Sequence, residues 1–112
     1  MRLLLIMTLL VTAIGNAYAR PARWCGWYAR HNLVMTDPGE NYNLACNWRH
    51  YGHAAWGPSE GVIVVWCSHR HHHVGKIVGP CEGTVCLVKS GNDGHAVRVR
   101  MRDVAGASLR TE

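Results

Sequence analysis

Residues 61–102 read GVIVVWCSHRHHHVGKIVGPCEGTVCLVKSGNDGHAVRVRMR, and most of the architecture follows from this stretch. Short segments rich in Val and Ile alternate with glycine-containing segments at 79–83 and 91–94, a pattern typical of strands joined by turns. Turns this short favour antiparallel neighbours. The predicted strands, including one beyond the quoted stretch, cover residues 61–67, 73–78, 84–90, 96–102 and 105–110.

The segment AVRVRMR, residues 96–102, alternates apolar and basic side chains. Successive side chains of a strand point to opposite faces, so the pattern predicts an inward apolar row of Val97, Val99 and Met101. It predicts an outward basic row of Arg98, Arg100 and Arg102. We interpret the basic row as an ordinary solvated strand surface, with a stripe that binds a polyanion as the alternative.

Two helices are predicted before the strands. In WCGWYARHNLVM, residues 24–35, apolar side chains recur at helical spacing, and Asp37, Pro38 and Gly39 follow as a stop. The segment NYNLACNWRHYG has a similar pattern, which predicts a second helix over 41–51. Helices first and sheet after is the order of an α+β fold.

The first 19 residues, MRLLLIMTLLVTAIGNAYA, have the layout of a cleavable secretory signal. A charge at Arg2 precedes an apolar run, and the small residues Ala17 and Ala19 form a cleavage-type end. The apolar run is shorter than the ~20 residues that a membrane span requires. We therefore expect export to the periplasm or the medium, with residues 20–112 forming a single domain that has no membrane span once the signal is removed.

The chain contains five cysteines. A small exported domain gains much from disulfides, and an odd number leaves at least one thiol unpaired. Cys81 and Cys86 flank a tight turn and are predicted to pair across it, which leaves Cys46 to pair with Cys67. Other connectivities stay open at this point, since Cys25 is also available.

The formal net charge of the chain is +5 at pH 7. A positive surface favours acidic partners such as anionic cell-wall peptides. Charge alone does not separate these partners from nucleic acid, but export argues against nucleic acid.

Three residues are candidates for catalysis. Cys25 lies where the first predicted helix begins, and the unpaired backbone N–H groups and the helix dipole there favour a thiolate. His73 lies near the start of a predicted strand, from which an imidazole can reach a helix N-terminus and act as base and then as acid. Asn92, at the end of the next strand, is positioned to orient that imidazole, with His95 as a competing candidate.

A family resemblance extends over four segments: WCGWYAR around Cys25, NWRHYG, GVIVVW followed by HHVGKIVG around His73, and LVKSGNDGHAVRVRMRDVAGA. They resemble the NlpC group of cell-wall cysteine peptidases and the related cysteine, histidine-dependent amidohydrolase (CHAP) domains. The resemblance implies a papain-like α+β fold, in which N-terminal helices pack on an antiparallel β-sheet. It also implies that Cys25 is the nucleophile, His73 the base and Asn92 the orienting residue. The implied substrate is a peptide amide of bacterial peptidoglycan, and no metal or organic cofactor is required.

Two other functions stay open. One is a catalytically silent module of the same fold that binds or inhibits at the cell wall. The other is an exported metal-binding protein, because His69, His71 and His73 would share one face of an extended strand and offer imidazole ligands. Solvated histidines in a loop are the alternative interpretation of this run.

Overall fold

A computed structural model describes residues 20–112, so the predicted signal at 1–19 lies outside the described residues. Helix α1 spans Cys25–Asn32, and two 3₁₀ helices follow at Glu40–Asn43 and Ala45–His50. The strands are β1 His53–Ala54, β2 Ile63–Cys67, β3 His72–Glu82, β4 Val85–Asp93, β5 Ala96–Asp103 and β6 Ser108–Thr111. None of the helices in this part of the chain is long and apolar enough to cross a membrane.

The six strands form one antiparallel sheet in the order β1-β6-β2-β3-β4-β5. Strands β2 to β5 are neighbours both in sequence and in space. The last strand, β6, returns to the other edge of β2 and pairs there with β1 as well. Each of the five predicted strands overlaps an observed one, while β1 has no counterpart in the prediction.

The sheet dominates this fold, and the prediction of a papain-like α+β fold with N-terminal helices packed on a sheet is wrong. Among residues 20–112 only α1 is an α-helix, and the predicted helix at 41–51 is two short 3₁₀ helices. Leu44 between them is extended, with φ −84° and ψ 118°. Asparagine contributes to this difference, because the side chain of Asn47 donates to the carbonyl of Asn41 at 2.7 Å. Such local bonds compete with helical backbone bonding.

One face of the sheet packs against α1 and the second 3₁₀ helix, and we call it the helix face. Its core contains Tyr28, Ala29, Leu33, Trp48, Ile63, Val65 and Val74. Gly91 of β4 lies directly under α1, where an added Cβ would be 2.5 Å from the side chain of Tyr28. The missing side chain at this position lets the helix approach the sheet closely.

The opposite face of the sheet has a separate core. It consists of Val62, Val64, Ile77, Cys86, Val88 and Val104. Partly buried Trp66 and Leu109 pack against this core. The sheet is therefore covered by apolar packing on both of its faces, and this arrangement determines which side chains can meet at a site.

In β5 each of the two rows of side chains points to the face of the sheet opposite to the predicted one. Register pairs the arginines with buried residues of β4 whose side chains belong to the opposite face, namely Arg98 with Ser90, Arg100 with Val88 and Arg102 with Cys86. The apolar row is exposed, with Val97 at 45% and Val99 and Met101 both at 51%. Helix α1 packs on β3 and β4. Helix α1 therefore does not cover β5, although the alternating pattern predicted that the apolar row of β5 would be buried.

Both predicted disulfides are confirmed. Cys46–Cys67 links the second 3₁₀ helix to the end of β2, and Cys81–Cys86 crosses the β3–β4 hairpin. Cys25 is left as a free cysteine. Disulfides persist in oxidising compartments, so this pattern supports an exported protein.

Candidate functional site

Cys25 is the first residue of α1 and is buried in the helix-face core, with 7% of the residue exposed. Burial raises the pKa of its thiol, so at neutral pH the sulfur is protonated. Hydrogen bonds from the backbone N–H groups of Gly26, Val74 and Cys25 itself oppose that rise in part. Backbone donors therefore already surround the position that a thiolate would occupy.

His73 of β3 is also buried, with 6% exposed. Its Nε2 shares a hydrogen bond of 2.9 Å with Ser90 Oγ, and its ring lies 5.9 Å from the ring of Trp66. Burial, followed by the positive charge of Arg102, lowers the pKa of His73 to about 4, against an opposing effect of Asp93. The imidazole is therefore neutral near pH 7.

Strand geometry separates the two predicted catalytic side chains. Val74 packs in the helix-face core beside Cys25. Since neighbouring side chains of a strand point to opposite faces, His73 projects to the opposite face, where Ser90 and Trp66 contact it. Cys25 and His73 thus approach the end of the sheet from its two sides.

His72 lies on the same face as Cys25. It is two residues before Val74 in β3 and pairs in register with Cys67. One of its ring nitrogens lies within 4.8 Å of the sulfurs of Cys46 and Cys67, and this disulfide anchors the second 3₁₀ helix on the helix face. His72 is exposed, so its ring has space to change rotamer.

A pocket of about 390 Å³ opens at this end of the sheet. Its lining residues are Arg23, Cys25, His69, Arg70, His71, His72, His73 and Asn92. All three predicted catalytic residues therefore border one pocket, together with the rest of the histidine run. An arginine-lined and histidine-lined opening of this kind suits a ligand with carbonyl or carboxylate oxygens.

Asn92 borders the pocket at the end of β4, where the β4–β5 register shifts and its φ is 53°. Among residues 20–112 the hydrogen-bond partner of the His73 ring is Ser90, and no hydrogen bond joins Asn92 to that ring. His95 lies in the following turn with φ 68° and does not line the pocket. Sequence reasoning missed Ser90, although a polar residue closing the run VCLVKS two positions before Asn92 was a usable signal.

The histidines of the predicted metal site do not gather around one point. His71 and His73 stack with ring centroids 6.1 Å apart, and His69 lies in the bend before β3. Within residues 20–112 the one group of three potential ligands in mutual reach is Cys46, Cys67 and His72. Its two sulfurs are joined in a disulfide, which removes them as thiolate ligands.

Comparisons with protein-family models, with curated proteins and with solved structures gave no match to this chain.

Proposed function

We propose that this protein is an exported thiol-dependent amide hydrolase, with Cys25 as its nucleophile and a peptide amide of bacterial peptidoglycan as its substrate. The observation that supports this proposal most is the state of Cys25. Four of the five cysteines are paired in disulfides, while Cys25 remains a thiol at the start of α1 and borders a histidine-lined pocket. An unpaired thiol in an oxidising compartment calls for a reason, and nucleophilic catalysis is one.

The base in this proposal is His72. It shares the helix face with Cys25, whereas the neighbouring His73 is hydrogen bonded to Ser90 on the opposite face. His72 is exposed and borders the pocket, so its ring can turn toward the sulfur when a substrate is bound. Catalytic hydrogen bonds often tighten only in the substrate complex.

The reaction has two steps. His72 accepts the proton of Cys25, the backbone N–H groups of Gly26, Val74 and Cys25 stabilise the thiolate, and the sulfur attacks the carbonyl carbon of the amide. The C–N bond then breaks, His72 donates its proton to the leaving amine, and an acyl-enzyme remains. Water attacks this thioester with His72 as base, which releases the carboxylic acid and restores the thiol.

The test measures whether the exported protein hydrolyses purified peptidoglycan. Hydrolysis is monitored as the appearance of new amino groups. We expect turnover by the unmodified protein, none by Cys25→Ala, and a loss of about 100-fold or more in His72→Ala. His73→Gln keeps the hydrogen bond to Ser90 available and serves as the matched variant that retains activity. Release of amino groups at an unchanged rate by Cys25→Ala would refute the proposal.

A second candidate is a non-catalytic module that binds the cell wall. The observation that favours it is the burial of Cys25, which leaves the thiol protonated near neutral pH. Cosedimentation with intact peptidoglycan separates the two candidates. Binding that is equal in the unmodified protein and Cys25→Ala, with no release of amino groups by either, would establish the module in place of the enzyme.

A further inference from the structure

A second pocket, of about 530 Å³, opens beside the edge strand β5; it shares His71 with the first pocket but does not include Cys25. It is lined by Trp66, His71, Arg100, Met101, Arg102, Asp103 and Ala105. The function proposed above makes no use of it. Two of the three arginines of β5 border this pocket, and the structure gives them a specific arrangement.

A buried carboxylate holds the arginines in place. Asp93 is only 5% exposed, and its Oδ1 accepts a hydrogen bond from Arg100. The carbonyl oxygen of Asp93 accepts a hydrogen bond from Arg98 Nε at 2.7 Å. Arg102 lies 3.6 Å from Asp93 Oδ2, which is an ion pair but not a hydrogen bond. The guanidinium groups are thus positioned in advance, while Arg102 makes no hydrogen bond to Asp93, whose Oδ2 has no hydrogen-bond partner within residues 20–112.

Trp66 adds a flat apolar surface beside these charges. The guanidinium of Arg102 lies over the Trp66 ring, 4.6 Å from its centroid, and His71 stacks on the same ring at 5.9 Å. Contact with the Trp66 ring restricts the position of the guanidinium, and the Arg102 side chain is still 18% exposed for contact with a planar oxyanion. A carboxylate next to an apolar group fits such a surface.

The charge balance favours a single negative charge on the ligand. Arg100 and Arg102 share one carboxylate partner, Asp93, which leaves one positive charge between the two guanidinium groups. Asp103 is turned toward the loop, where the Ala105 N–H donates to its Oδ1 at 2.9 Å. One arginine is enough to neutralise Asp93. The side chain of Arg100 is still 55% exposed, so it can also contact a ligand. We propose that this pocket binds a small monocarboxylate ligand, with Arg100 and Arg102 holding the carboxylate and Trp66 contacting its apolar part.

The experiment uses three probes on the Cys25→Ala protein, so that the result is independent of the proposed hydrolase function. Benzoate supplies a ring and one carboxylate, benzamide is its neutral isostere, and inorganic phosphate is the competing oxyanion. Binding is followed by the NMR shift of the Trp66 indole N–H, assigned with Trp66→Phe. We expect benzoate to bind with a Kd on the order of 1 mM, and benzamide to bind at least tenfold more weakly.

Two arginine variants and one control complete the test. Arg100→Gln, at a half-exposed side chain, should raise the Kd for benzoate about fivefold or more, and Arg102→Gln should abolish binding. Arg49→Gln, on the second 3₁₀ helix, should leave the Kd unchanged. If Arg102→Gln does not fold, Arg100→Gln still tests the proposal. Equal binding of benzoate and benzamide, an unchanged Kd in Arg100→Gln, or no binding of benzoate at all would overturn the proposal. Phosphate binding as tightly as benzoate would overturn the assignment to a carboxylate.

Discussion

Acid should destabilise this protein through His73, because the folded state holds this histidine neutral. Its pKa falls from an ordinary 6.5 to about 4, chiefly by burial and by the charge of Arg102. The unfolded chain therefore takes up the proton first, and the stability that the neutral imidazole provides is complete above pH 6.5 and decreases as the pH falls to 4. A difference of about 2.5 pKa units corresponds to roughly 3 kcal/mol lost by pH 4.

The assay is urea unfolding with the disulfides intact, at steps from pH 7.5 to pH 4, on the unmodified protein and on His73→Gln. Glutamine keeps a hydrogen-bonding partner for Ser90 and does not titrate. The free energy of unfolding of the unmodified protein should fall about 3 kcal/mol further than that of His73→Gln over this range. His71, whose pKa is also lowered by burial, is present in both proteins and cancels. Parallel curves for the two proteins would refute the assignment of a neutral, buried His73.

Two further predictions concern packing. Trp48 is fully buried and its indole N–H donates to the Tyr42 carbonyl at 2.7 Å, so Trp48→Ala should cost about 3–5 kcal/mol in chemical unfolding. Trp56→Ala, at a fully exposed side chain, should change stability by less than about 0.5 kcal/mol. Gly91→Ala places a Cβ against Tyr28 and should cost about 1–3 kcal/mol, whereas Gly57→Ala meets open space and should be near neutral. Equal unfolding midpoints within either pair would contradict the packing described for the helix face.

The strands could be predicted because their signals are local. The Val-rich segment before Cys67 and the glycine-containing segment at 79–83 identify β2, β3 and β4 without knowledge of the rest of the fold, although β3 continues through 79–82 and the turn itself lies at 83–84. The second helix could not be predicted correctly, since the helical spacing of apolar residues does not take into account Asn47, whose side chain bonds to the nearby backbone. The orientation of β5 depends on which face α1 covers, and an alternating pattern alone does not contain that information.

The sequence identified residues that border one pocket, but it did not predict how their side chains are arranged. Spacing and the odd cysteine count led correctly to Cys25 as the free cysteine. The choice among adjacent histidines depends on strand parity: one residue of shift moves an imidazole from the Cys25 side to the Ser90 side. The face to which each histidine points is set by the packing of Val74 against α1. This is a long-range contact that the sequence of the histidine run does not predict.

The most direct test of the central claim is the rate at which iodoacetamide alkylates Cys25, measured by mass spectrometry across pH in the unmodified protein, His72→Ala and His73→Gln. Cys25 should be the only cysteine that reacts, its rate should rise at a higher pH than that of an ordinary cysteine, and at pH 7 the rate should fall about tenfold or more in His72→Ala only. Equal rates in all three proteins, or the recovery of Cys25 in a disulfide, would contradict the assignment of Cys25 and His72 as a catalytic pair.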